Sequence, residues 1–241
     1  MKPGWLASVQ SLAGTVVIAV FVITFIVQAF QIPSESMENT LLIGDYLLVD
    51  KVHYASGGRW GEILPYSPIR RGDIVVFRYP VHATQHFVKR VIGVPGDRVR
   101  LIDKQLWVNG APVKENYVVY HSPVHDYYRD DFPAANYLSS NVEARWWLQM
   151  RGLVRNGELV VPPGEYFVLG DNRDESLDSR YWGFVPRQNI IGRPLLIYWS
   201  VRDSEPPAGA RASNDRLSRF AYLLTHLWQQ TRWQRTFRLV K

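Results

Sequence analysis

HFVKRVIGV, residues 86–94, decides the fold class. It is rich in β-branched residues and is followed by Pro95 and Gly96, so it reads as a strand that ends in a turn. DIVVFRY, residues 73–79, has the same character. Outward from this pair, Tyr46–Tyr54 is rich in Leu and Val. Arg98–Ile102 and Gln105–Val108 read as a hairpin, and Asn109-Gly110 is a tight-turn signal. Glu165–Leu169 and Ile190–Trp199 supply further strands. Strands and helices do not alternate, which argues against a parallel α/β sheet and for a mainly β protein. Residues 111–160 have weaker periodicity and read as an inserted subdomain or as long loops.

The same stretch contains a chemical oddity. On a strand, side chains alternate, so Phe87, Lys89 and Val91 share one face. An exposed lysine has a pKa of about 10.4 and is almost wholly charged at neutral pH. Burial disfavours the ammonium and lowers that value. Lys89 is therefore either a buried amine able to accept a proton or an edge lysine extending its head to water.

The 241-residue chain has room for one large or two small domains, and its 46% hydrophobic content and nine tryptophans imply a real core. It contains no cysteine, which excludes disulfides, thiolate nucleophiles and cysteine zinc sites. The net charge of +6 is concentrated at the end. There, Arg211, Arg216, Arg219, Arg232, Arg235, Arg238 and Lys241 face Asp215 alone. Ser204–Ala212 reads as a linker. Beyond it Leu217, Phe220, Leu224 and Leu227 recur at helical spacing, which reads as a basic amphipathic helix lying on a membrane or as a helix packed on the body.

No Asp, Glu, Lys or Arg occurs between Lys2 and Glu35. Leu12–Phe30 is dominated by Val, Ile, Phe, Leu and Ala, and roughly 20 such residues cross a bilayer as a helix. A cleavable signal peptide is the rival reading, but its apolar stretch is shorter, at about 7–15 residues, and ends at small residues, whereas Ala29-Phe30-Gln31 is bulky. An uncleaved anchor over 12–31 follows. Lys2 and the amino terminus place residues 1–11 in the cytoplasm and the rest outside it. Residues 32–110 and 161–203 then form a β core, 111–160 an insertion, and 204–241 a linker and basic tail. The lack of a preceding organelle transit sequence favours a bacterial cytoplasmic membrane.

PSESMENTL, residues 33–41, places two serines just past that anchor. A serine hydroxyl is a weak nucleophile until a base takes its proton. None of the six histidines has a recognisable catalytic context, and no G-x-S-x-G elbow, P-loop or dinucleotide glycine pattern occurs. His121 and His125 with Asp126 are the sole metal candidates. Pro123 between them disfavours the helix such ligands need, so no metal and no cofactor is expected. GDNRDESLDSRYWG, residues 170–183, reads either as a charged surface loop or as a site wall held by carboxylate–arginine pairs.

Four blocks in order, PSESMENTL, RRGDIVVFRYP, KRVIGVPGD and GDNRDESLDSRYWGFVP, resemble type I signal peptidase, the membrane-bound Ser–Lys protease of family S26 that removes signal peptides. They cover about a fifth of the chain, and their order is highly specific. The resemblance implies a mostly antiparallel β fold with an inserted second domain, preceded by a transmembrane helix. It makes Ser36 the nucleophile and Lys89 the general base. Ser34 joins the Ser36 N–H in the oxyanion hole. Ser176 hydrogen-bonds the lysine amine, Asp178 and Arg180 form a supporting pair, and Asp171 pairs with Arg90. Ile32, Pro33, Met37, Leu41, Phe87 and Val88 are expected to line shallow apolar pockets. The partners it implies are preprotein signal peptides with small residues at P1 and P3 and the lipid bilayer, with no nucleic acid. One departure stands out: the family usually has proline where this chain has Asn39.

Two rivals stand beside the resemblance. A self-cleaving Ser–Lys repressor-type protease shares the core fold, but it carries a DNA-binding half and no anchor. A membrane-anchored β module that binds envelope components would leave Lys89 merely structural.

Overall fold

The computed structural model describes residues 4–54, 66–134, 136–137, 139–202 and 228–240. The amphipathic helix expected over 217–227 and the linker at 204–212 lie outside the described residues.

The chain opens with helix α1, Gly4–Phe21, which widens into a π turn over Val22–Ile26. The window Ala7–Ile26 is long and apolar enough to cross a membrane, and none of it is buried against the protein. The helix starts and ends earlier than the expected 12–31. Val27–Gln31 is instead strand β1, because its backbone pairs residue by residue with β2, Asp45–Asp50. Lys51 Nζ donates to Thr24 O, giving a partner to a carbonyl at the helix end.

The next strands are β3 (Ile74–Arg78), β4 (His86–Gly93), β5 (Arg98–Ile102), β6 (Gln105–Val108) and β7 (Ala111–Pro112). Two helices follow, the short α2 (Tyr127–Asp130) and α3 (Ala144–Leu153). Then come β8 (Val154–Arg155), β9 (Glu158–Val160), β10 (Glu165–Leu169), the one-turn helix α4 (Ser179–Trp182) and β11 (Val185–Pro186). The long β12 (Ile190–Ser200) and the terminal β13 (Arg238–Leu239) complete the order. Every strand pairing is antiparallel, so the fold is mainly antiparallel β.

One sheet runs β1-β2-β12-β3-β4-β10-β11, with β13 added to β12, and the second runs β7-β6-β5-β9-β8. The hairpin read at 98–108 turns at Asp103-Lys104, both left-handed, while Asn109-Gly110 turns the chain from β6 into β7. Helix α3 was not visible in the periodicity of 111–160. It seats Trp146 and Met150 in the core that the second sheet shares with Phe167 and Phe184.

Strand β3 explains its own sequence. Val75 and Phe77 pack into one core with Val91 and Val168, while Ile74 and Val76 pack into another with Ile32, Met37 and Leu47. Both faces are covered, so the strand reads IVVF without polar alternation. Its neighbour β4 is buried on both faces over residues 89–93, while residues 86–88 at its start are only partly covered.

Candidate active site

The loop from Ile32 to Asp45 is closed at its base by Ile32 N donating to Asp45 O, 2.9 Å, and Gly44 N donating to Ile32 O, 3.0 Å. Ile32 and Met37 are buried in the core and fix the two ends of PSESM. Thr40 N and Leu41 N both donate to Met37 O, a tight turn that holds Ser36 just ahead of it. Ser36 is buried and Ser34 exposed, with their hydroxyls 3.4 Å apart.

Lys89 lies opposite Val75 in the β3–β4 ladder, on the face it shares with Phe87 and Val91. It is 3% exposed, and its Nζ lies 2.5 Å from Ser36 Oγ. Burial lowers its pKa from the ordinary 10.5 to about 8. Asp178 and Asp171 oppose that fall, and Arg180 assists it. No carboxylate is in ion-pair contact with the amine among the described residues. At pH 7 roughly one such amine in ten is neutral, against about one in 2,500 for an exposed lysine.

The stretch 170–180 walls the other side. Asn172 N donates to Ser36 O at 3.2 Å. A methyl group on Gly170 would overlap both the Ser36 carbonyl oxygen and Ser176 Oγ, so only glycine fits at this approach. Asp178 and Arg180 form a fully buried bidentate pair, with Arg180 Nε and Nη2 each 2.8 Å from a carboxylate oxygen. Burial alone would raise the Asp178 carboxyl. Arg180 and the Gly170 N–H outweigh it and hold the group below its usual range. Asp171 takes a bidentate grip from Arg90, at 2.8 and 2.7 Å, and accepts from Thr40 Oγ1 at 2.5 Å. Ser176 is buried beside Gly170, and its hydroxyl makes no hydrogen bond to Lys89, whose amine is engaged by Ser36.

A groove of about 300 Å³ opens onto Ser36 and Lys89. Ile32, Pro33, Met37, Phe87 and Val88 line it, joined by Phe30, Val76, His86, Glu175 and Leu177. Leu41 does not line it. One helical turn past Met37, Leu41 faces inward, is fully buried and packs in the core instead. Glu175 and Leu177 alternate with the buried Ser176 and Asp178 and face outward, a pattern readable as strand-like alternation. His121 and His125 do not converge on a shared ligand position. The first faces Glu38 at 3.4 Å and the second Asp131 at 2.8 Å.

Asn39 has φ +80°, a left-handed conformation that proline cannot adopt, so the turn after Met37 differs from one built on proline. Its Nδ2 donates to Tyr117 O at 3.2 Å. Tyr117 in turn lays its ring 3.9 Å from the Arg90 guanidinium. Residues 115–119 thus strap the outer side of the site, a long-range contact with no local signature.

Known proteins resemble this chain over most of its length. The family model described as "Signal peptidase, peptidase S26" matches residues 5–199. A signal peptidase I of Leptolyngbya laminosa is 36% identical over 201 residues, covering 80% of this chain and 79% of that protein. Those of Pseudomonas aeruginosa and Aquifex aeolicus are each 36% identical, covering 75% of this chain and 67% and 78% of theirs. A solved signal peptidase I from Enterococcus faecalis shares 34% identity, covers 53% of this chain and 97% of its own, and superposes with a TM-score of 0.40. The chain is therefore a peptidase that belongs to the signal peptidase family, S26.

Proposed function

We propose that this protein is a membrane-anchored serine endopeptidase that removes signal peptides from exported preproteins, with Ser36 as nucleophile and Lys89 as general base. The observation that carries this reading is a buried amine with a lowered pKa, 2.5 Å from the hydroxyl of a buried serine. In its neutral form Lys89 takes the Ser36 proton as Oγ attacks the carbonyl carbon of the residue before the scissile bond. The Ser36 N–H and the Ser34 hydroxyl face the resulting oxyanion, a type of contact worth about 10²–10³ in rate per donor. The Lys89 ammonium then protonates the departing amine, which frees the mature chain and leaves an ester on Ser36. Lys89, neutral again, takes a proton from water, and the hydroxide equivalent cleaves that ester.

The groove walls are apolar and close against the dyad at Ile32, Met37, Phe87 and Val88, which suits small side chains at P1 and P3. The other roles rest on the same neighbourhood. Asp178–Arg180 and Asp171–Arg90 brace the wall, and Ser176 packs behind Gly170. The apolar helix Ala7–Ile26 spans the bacterial cytoplasmic membrane once, with the body on its outer side. That tether raises the effective concentration of Ser36 at the bilayer surface, where a signal peptide ends.

The test is to incubate detergent-solubilised protein with a preprotein and map the cut by mass. One cut at the signal-peptide junction is expected, lost in Ser36→Ala and in Lys89→Ala while both variants stay folded. Activity retained in either variant removes the dyad assignment. Deleting residues 1–26, which removes the apolar span and leaves strand β1 in place, should spare peptide cleavage in detergent and slow processing of a membrane-inserted preprotein; equal slowing of both removes the tether argument.

A further inference from the structure

The last described segment, residues 228–240, returns to the body and lies along β12. Thr231 bridges to Val201, Arg232 N donates to Ser200 O at 2.8 Å, and β13 pairs with Leu196 and Ile197. From this strip two arginines reach under the loop that carries Ser36. Arg235 Nη2 donates to Asp45 Oδ2 at 2.6 Å and to Thr40 O at 3.0 Å, and Arg235 Nε lies 3.3 Å from Asp45 Oδ1. Arg232 Nη1 donates to Ile43 O at 3.0 Å. Asp45 is fully buried at the loop's base, where it also accepts from Ser200 Oγ and Leu42 N.

The loop is thereby held at both ends of one turn. Thr40 gives its carbonyl to Arg235 and its hydroxyl to Asp171, the carboxylate gripped by Arg90 next to Lys89. Thr40 N bonds Met37 O, and Met37 follows Ser36 directly. Without Arg235 the Asp45 carboxylate loses its shortest cationic contact, and the turn after the nucleophile loses its outer support.

We propose that Arg235, assisted by Arg232, is a positioning residue for the Ser36 nucleophile, acting through Asp45 and the Thr40 carbonyl. The basic C-terminal strip is then an internal clamp on the catalytic loop rather than a charged tail alone. This rests on the assignment of Ser36 as nucleophile. A misplacement of about 1 Å costs on the order of a hundredfold in rate, so even a partial relaxation is measurable.

The experiment compares Arg235→Ala, Arg235→Lys, Asp45→Asn and the exposed control Arg238→Ala in the full-length, detergent-solubilised protein. Each is assayed on a peptide spanning a signal-peptide junction, well below its own unfolding midpoint. Arg235→Ala is expected to lower kcat about tenfold with KM unchanged, since the groove is untouched while the loop shifts. Arg235→Lys keeps a cation on Asp45 and should recover part of that loss. Asp45→Asn should match Arg235→Ala, and the double variant should be no worse than the poorer single one. Arg238→Ala should behave as the parent. A fall in Tm for Arg235→Ala with kcat per folded molecule unchanged would mean a purely structural role and overturn the clamp. If Arg235→Ala does not fold, the Arg235→Lys and Asp45→Asn pair decides on the same criterion. Activity surviving Ser36→Ala is a separate result, one that sinks the dyad and not the geometry of the strip.

Discussion

The two faces of β4 carry neighbouring basic residues with opposite fates. Lys89 and Arg90 are 3% and 6% exposed, so both are withdrawn from water. On one face Arg90 meets Asp171 in a bidentate grip, Gly72 O at 2.8 Å and the Tyr117 ring. On the other face Lys89 meets Ser36 and apolar walls, with no carboxylate in contact among the described residues. Burial alone does not decide whether a cation keeps its proton; the partners supplied with the burial do. A paired guanidinium becomes a fixed brace. An unpaired amine becomes a group that gives and takes a proton near neutrality.

The largest expected effect breaks this comparison on the Lys89 side. Lys89→Ala should lower kcat by about 10²–10⁴, the usual contribution of a positioned general base. Lys89→Arg should not restore activity, because a guanidinium stays charged whatever its surroundings. Steady-state cleavage of a junction peptide checks both.

On the Arg90 side the consequence is stability. Asp171→Asn leaves a buried guanidinium without its counter-charge, which should cost about 3–5 kcal/mol in urea unfolding. The double variant Arg90→Met with Asp171→Leu should cost less than that single change, since no unpaired charge remains. A double variant that is worse would show that the brace acts through the Thr40 hydroxyl rather than through charge.

The titration of Lys89 sharpens the contrast. Its folded pKa lies below its unfolded one, so between about pH 8 and 10.5 the unfolded chain binds more protons, and stability rises with pH. Below pH 8 the buried ammonium costs the fold on the order of 3 kcal/mol. Lys89→Met should therefore stabilise the protein most below pH 8, with the gain fading as pH approaches 10.5. In the parent, kcat/KM should rise with pH through about 8, falling roughly tenfold per unit below it. Thermal melts and a pH–rate series check these two statements, and a rate that is flat from pH 6 to 9 would detach Lys89 from the chemistry.

The smallest effect probes the strap over the Arg90 face. Asn39→Ala puts a Cβ-bearing residue without a hydrogen-bonding side chain at φ +80° and removes the bond to Tyr117 O. It should cost about 1–2 kcal/mol, while Asn39→Gly should cost less. Neither should shift the pH midpoint, which belongs to the opposite face.

Much of this was legible in the residues. The β-branched runs at 74–78, 86–93, 98–102 and 165–169 emerged as strands because local shape and alternation encode them. The Phe87–Lys89–Val91 face followed from a period of two. Helix α3 did not show, because its apolar residues, Trp147 and the exposed Leu148 among them, do not fall on one stripe, and the partners of its buried Trp146 and Met150 lie on the second sheet. The apolar helix ends before residue 31 because Val27–Gln31, uncharged but carrying two glutamines, pairs with strand β2 in the sheet. Leu41, a pocket candidate under the resemblance, is buried in the core one helical turn past Met37.

By itself, then, the order of residues determined which segments form strands, that an uncharged helix leads the chain, and which hydroxyl and amine are the chemical candidates. Tertiary structure alone decided that these two groups, 53 positions apart, sit 2.5 Å from each other, and that the amine is buried without a carboxylate partner among the described residues while its neighbour is buried and paired with Asp171. Side-chain direction is a local property set by backbone period. Desolvation and pairing depend on what packs against a side chain from distant segments, and no spacing within one strand records that.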